Sequence, residues 1–231
     1  MSLGHSPRII TDGLALYLDA ANLKSLPSNT IWYDLSGNGL DVTLLNSPSQ
    51  STNYLAFNGT TQAGYIPYDA RLSPTSQITL SAWVTTDWQT TGNVRVLSKT
   101  ESGGYQLSIN DISGQVGCTI HVGGTYRYCT VAKATVTSGW HHMLATCDGR
   151  YIKLYFDSVL VATTDLGSYM LLTYTYNNNL VIASEAGAGS TNSIAANYIL
   201  GSIGTVQIYN RALSIDEIRQ NFNALRGRYG I

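Results

Sequence analysis

Charge is what this sequence has least of. Asp, Glu, Lys and Arg supply 12% of its 231 residues, 13 basic against 14 acidic, where soluble proteins usually carry about 25%. That balance excludes a protein held to nucleic acid by phosphate neutralisation, which needs a basic stripe. No apolar run approaches the ~18 residues of a membrane-spanning helix, so no membrane span is expected. Residues 1–10 (MSLGHSPRII) lack a basic segment followed by an apolar one, so no secretory leader is expected either. Phenylalanine is rare, at 3 against 16 tyrosines.

Thr, Ser, Asn, 22 Gly and the tyrosines stand in for the missing charge, while hydrophobic residues still make up 44%. Disorder requires low hydrophobicity and high net charge, and neither applies. The composition is that of an extracellular-type β protein whose surface is solvated by hydroxyls and amides. All-β domains often reach ~200–250 residues, so the whole chain, 1–231, reads as a single domain. Residues 1–12 read as an N-terminal arm, 214–226 as a helix and 227–231 as a tail.

Short apolar segments punctuated by turn residues predict an all-β fold. Residues 77–84 (QITLSAWV) alternate with period two. This predicts Ile78, Leu80, Ala82 and Val84 inside, with Thr79, Ser81 and Trp83 on the other face. Half-polar strands of this kind suit antiparallel sheets. Asp148-Gly149 predicts a two-residue turn between strands 140–147 and 150–156, the second carrying Leu154 and Phe156 into the core. Gly123-Gly124 predicts the turn of a second hairpin, 115–131. Val122 would then face Thr125, and counting outward sets Cys118 opposite Cys129 with Cα atoms ~5.5 Å apart. That is within disulfide range, although a protein assembled in the cytosol would hold the two as thiols at first. Cys147 is expected to be a lone buried thiol. Only one helix is expected: Ser214-Ile215-Asp216-Glu217 forms a capping box ahead of a stripe of Ile215, Ile218, Phe222 and Leu225. It should pack across an edge or end of a sandwich.

The segments 140–149 (WHHMLATCDG) and 153–162 (KLYFDSVLVA) resemble the meander of laminin-G-like, concanavalin A-like jelly rolls. The blocks 32–39 (WYDLSGNG), 57–60 (FNGT) and 209–214 (YNRALS) agree with it, in family order. Cys147 departs from the family's usual Tyr or Phe, and Ser158 from its usual Gly. The resemblance implies a two-sheet antiparallel jelly-roll sandwich. Residues 4–13 and 221–231 further resemble the ends of laminin-G-like virion proteins of tailed bacteriophages, the cyanophage type especially.

Such folds host glycoside hydrolases, which need two carboxylates ~5–9.5 Å apart. Strand residues share a face at i, i+2 and i+4. None of the three glutamates, Glu101, Glu185 and Glu217, has a carboxylate at those spacings. No G-x-S-x-G occurs, and adjacent His141 and His142 point to opposite faces, so no enzyme is expected. His121 has no obvious partner. Asp34, Ser36, Asn38 and Asp41 offer oxygens in a glycine-rich loop. They read either as an Asx turn or as a structural calcium site; no other cofactor is expected. Trp88, Tyr169, Tyr174 and Tyr176 are candidates for glycan or subunit contact.

The resemblance and the missing leader together imply a non-enzymatic virion surface protein, decorating a phage head or forming part of a tail or fibre. Its partners would be other capsid or tail proteins and host or environmental glycans. It would be a homo-oligomer, with a trimer favoured. The alternatives are a lectin-like module of a bacterial cell-surface protein and a glycoside hydrolase-related domain.

Overall fold

The computed structural model describes residues 8–101, 103–187, 194 and 196–231. Among them are the strands β1 (Leu14–Asp19), β2 (Ile31–Trp32), β3 (Val42–Leu45), β4 (Ser49–Gln50), β5 (Leu55–Asn58) and β6 (Ala63–Ile66). The long middle strands are β7 (Ile78–Thr86), β8 (Val94–Lys99), β9 (Tyr105–Ile109), β10 (Gln115–Val122) and β11 (Thr125–Ala132). They are followed by β12 (His141–Cys147), β13 (Tyr151–Phe156), β14 (Val159–Asp165), β15 (Leu180–Ile182) and β16 (Leu200–Tyr209). One α-helix, α1 (Ile215–Leu225), comes last, before a 3-10 turn.

The strands form two eight-stranded antiparallel sheets, as a jelly-roll sandwich requires. The first runs β14-β13-β12-β7-β16-β5-β4, with β1 also on β16; the second runs β11-β10-β9-β8-β15-β6-β3-β2. Ile78, Leu80, Ala82, Val84, Leu154 and Phe156 lie buried between them, as expected.

The two hairpins show how turn chemistry sets register. Gly123 and Gly124 both take positive φ, +58° and +78°, so the turn closes where the sequence places it and Cys118 pairs with Cys129. The other hairpin is displaced by one residue. Cys147 pairs with Ile152, which leaves Gly149-Arg150 at the tip instead of Asp148-Gly149. The cause is the Asp148 carboxylate, which accepts the N–H groups of Arg150 and Tyr151 at 2.9 and 2.7 Å and so must precede the turn. Asp157 and Ser158 form the next turn at φ +51° and +65°, in the region where the family's glycine would sit without strain.

A second correction concerns what covers β7. Thr79, Ser81 and Trp83 lie on the other face, as the alternation predicts, and that face is buried as well. Helix α1 packs on the outer face of the first sheet rather than at an edge or end. It sets Phe222 parallel to Trp83 at 5.6 Å, with Tyr229 stacked on the same indole at 4.4 Å. The capping box forms as read, through Ser214 and Glu217. Residues 8–10 are no free arm. The Ile10 N–H donates to Asn221 on the buried side of α1 at 2.8 Å, and Ile9 joins the Trp83 cluster.

Candidate functional site

On the outward face of the second sheet the side chains are polar and nevertheless buried. Antiparallel pairing aligns Ser98, Gln106, Thr119 and Tyr128 in one row across β8, β9, β10 and β11. A second row runs Arg95, Ser108, Gly117 and Thr130. Gly117 holds the rows close, since a Cβ there would meet the Cys129 carbonyl oxygen at 2.2 Å. Two loops from the same end of the sheet complete the arrangement. The turn after β9 carries Asp111 and the segment after β15 carries Glu185.

Both carboxylates converge on one nitrogen: Arg95 Nη2 donates to Asp111 Oδ1 at 2.8 Å and to Glu185 Oε1 at 2.9 Å. The network extends outward from there. Gln106 and Thr119 donate to Asp111 Oδ2 at 2.7 and 3.0 Å, and Asn197 donates to Glu185 Oε2. Arg95 is 4% exposed, yet among the described residues its Nε and Nη1 have no partner. Buried polar groups normally are partnered, and an orphaned one costs free energy unless something else satisfies it. Arg95 bounds a cleft of about 400 Å³ together with Thr100, Glu101, Gln106, Asp111, Tyr128 and Glu185. Glu101 stands in the wall, its carboxyl pushed above the usual range by burial first and the Glu185 charge second. Tyr128 offers an exposed ring.

Sequence spacing missed this cluster. No two of its acids share a strand at i, i+2 or i+4, because they come from three separate loops that only the sheet order brings together. The signal available was a lone arginine inside an apolar strand, Val94-Arg95-Val96-Leu97, since arginine is seldom buried without a purpose.

The residues singled out by sequence lie elsewhere. Trp88 is a core residue at 2% exposure, its indole donating to the Gly139 carbonyl at 3.0 Å; it is no surface contact. Tyr174 is half-buried and donates to the Pro74 carbonyl at 2.9 Å. Tyr169 and Tyr176 are exposed, and the Tyr169 ring lies over Gly149, where a Cβ would meet it at 2.3 Å. None of the four lines the cleft.

The loop of Asp34, Ser36, Asn38 and Asp41 has the geometry of a hydrogen-bonded turn. Asp34 Oδ1 accepts the N–H groups of Tyr17 and Ser36 at 3.0 and 2.8 Å. Its Oδ2 accepts from Ser36 Oγ and the Leu40 N–H at 2.7 and 3.2 Å. Asn38 points its NH₂ at the Ala15 carbonyl at 3.0 Å, and Asp41 accepts the Asp34 N–H at 2.9 Å. Both Asp34 oxygens are thus occupied by N–H and O–H donors, the arrangement of an Asx turn. Among the described residues no group of three or more His, Cys, Asp or Glu could hold a metal ion.

Cys118 and Cys129 are free, buried thiols, as is Cys147. The Cys118 thiol is held well up by its hydrogen bond to Cys129 and by burial, while burial pushes Cys147 to about 11. His121 does have a partner, Thr173 Oγ1 at 2.5 Å. Thr137, His141 and Asp157 have the connectivity of a hydrolytic triad, with Oγ1···Nε2 3.2 Å and Nδ1···Oδ2 2.6 Å. Nε2 also lies 3.1 Å from the Thr137 carbonyl oxygen, which only an N–H can satisfy. His141 clamps a loop to the β13–β14 turn, and its bond to Asp157 raises its pKa.

Comparison with known proteins agrees with this architecture. Residues 58–219 match the family model described as the concanavalin A-like lectin/glucanases superfamily. No curated protein sequence matches the chain. Among solved structures, the botulinum neurotoxin serotype D ligand-binding domain in complex with N-acetylneuraminic acid is 15% identical at TM-score 0.67, covering 92% of this chain and 51% of that one. The botulinum neurotoxin DC binding domain with a sialylated ligand is 13% identical at TM-score 0.69, over 93% and 52%. The Trypanosoma rangeli sialidase in complex with sialic acid is 20% identical at TM-score 0.62, over 93% and 33%. The chain thus spans about half the length of the toxin domains and a third of the sialidase. At these identities the likeness is one of fold.

Proposed function

The chain belongs to the concanavalin A-like lectin/glucanases superfamily, and on that premise we propose that it is a non-catalytic carbohydrate-binding domain whose glycan sits in the cleft around Arg95. The carrying observation is that Arg95, which bounds that cleft, is buried with two nitrogens unpartnered among the described residues. A sugar hydroxyl is both donor and acceptor, so it can satisfy Arg95 while donating to the carboxylates beside it. Tyr128 supplies the ring on which a sugar's apolar face can lie. Catalysis is disfavoured by the same geometry. Asp111 and Glu185 are both engaged by the Arg95 guanidinium, at 2.8 and 2.9 Å. Glu217 is committed to its capping box and to Arg211 at 2.7 Å.

We place the domain on the outside of a tailed-phage particle, as a homo-oligomer contacting capsid or tail proteins. The resemblance of residues 4–13 and 221–231 to the ends of such virion proteins supports that placement; residues 4–7 lie outside the described residues. The purified protein should bind at least one member of a broad neutral and acidic glycan panel, release no reducing ends from it, and lose affinity at least about tenfold in Tyr128→Ala. Failure to bind any glycan would remove the lectin reading. Antibody labelling of purified virions by electron microscopy tests the placement, and unlabelled particles would favour a cellular lectin.

A further inference from the structure

We infer that the Arg95 cleft accepts uncharged sugars and rejects acidic ones, including the sialic acids bound by its structural neighbours. The inference rests on the lectin reading of that cleft. Its basis is the distribution of formal charge among the lining groups. Three carboxyl groups, Asp111, Glu185 and Glu101, face a single guanidinium. Asp111 and Glu185 already share one Arg95 nitrogen, and among the described residues no other cationic side chain lines the cleft. The remaining lining groups, Thr100, Gln106, Thr119, Tyr126 and Tyr128, are uncharged.

An anionic ligand needs a surplus of positive charge or of free N–H donors. Here Gln106 and Thr119 already donate to Asp111. That leaves the two Arg95 nitrogens, held beside two carboxylates. A sugar carboxylate approaching them would meet like charges in a partly desolvated cleft, where Coulomb repulsion is poorly screened. An uncharged sugar meets no such opposition. Its hydroxyl oxygens can accept from Arg95 and its hydroxyl protons can go to the outer lone pairs of Asp111, Glu185 and Glu101. The Glu101 carboxyl is raised by burial first, and the Glu185 charge beside it adds to that. At about 400 Å³ the cleft is at the small end of ligand pockets, suited to a chain terminus or a short oligosaccharide.

The test is calorimetric titration at pH 7.5 with matched glycans, each with and without a terminal N-acetylneuraminic acid, using the panel members that bind. The neutral member of each pair should bind at least about tenfold more tightly. Glu101→Gln removes a carboxyl that is not itself bonded to Arg95, keeps the side-chain length and leaves an amide that can still donate to Glu185, so the gap should narrow. Raising the salt should narrow it as well. Equal or tighter binding of the sialylated member overturns the inference and leaves the lectin reading standing. A gap indifferent to both Glu101→Gln and salt also overturns it, because discrimination would then be steric. Binding of neither class removes the lectin reading and the inference together.

Discussion

Two neighbouring histidines answer acid in opposite senses. His142 is fully enclosed beneath α1, parallel to Trp83 at 5.2 Å and bonded to Ser81 Oγ at 2.8 Å, and burial lowers it to about 4. Unfolded, it would protonate near 6.5. The unfolded chain therefore binds the extra proton between those values, and stability rises with pH from about 4 to 6.5, by on the order of 3 kcal/mol. His141 is the reverse case. Its bond to Asp157 raises it, so its contribution is complete below about 6.5 and is lost as pH rises through its folded value. Denaturant melts between pH 5 and 8.5 should show both limbs. His142→Gln should flatten the acid limb above pH 5, and His141→Gln the alkaline one. An acid limb unchanged in His142→Gln would show that burial of the imidazole is not its cause. The sequence places the two on opposite faces, which is correct. It does not reveal that both faces are covered, because the cover on one side is a helix more than 70 residues away.

At the scale of elements, α1 turns a half-exposed sheet into a buried one. Its capping box and apolar stripe were legible from local spacing alone. Where it packs was not, because period-two alternation reports that two faces differ and is silent about what lies against the outer one. Hairpin registers divide the same way. Gly123-Gly124 sets its own register because both residues adopt positive φ without cost. At Asp148-Gly149 a side-chain hydrogen bond moves the turn by one residue. Phe222→Ala removes a ring stacked on Trp83 and should cost about 3 kcal/mol. In a domain of this size that lowers Tm by roughly 6–12 °C, measurable by calorimetry. A change below about 2 °C would mean the helix contributes little to holding the sheet.

For the whole molecule, the sandwich and its core were readable because strand alternation and turn residues are local signals. The cleft was not, because Arg95, Asp111 and Glu185 meet through the order β9-β8-β15, in which β15 follows β8 by some eighty residues. Trp88 misled for a related reason: an aromatic beside polar loop residues reads as exposed, yet its ring is buried in the core. The two outer faces of the sandwich also divide the work between them. Residues 8–10, α1 and Tyr229 all lie on the outer face of the first sheet, with Gln220 donating to the Arg8 carbonyl at 2.7 Å. The Arg95 cleft opens on the outer face of the second. A chain tethered near either end therefore presents its cleft away from the support, and an array of such chains points every cleft the same way. Weak single-site contacts then add through effective concentration, so that an array can hold a glycan-coated surface that one copy releases readily.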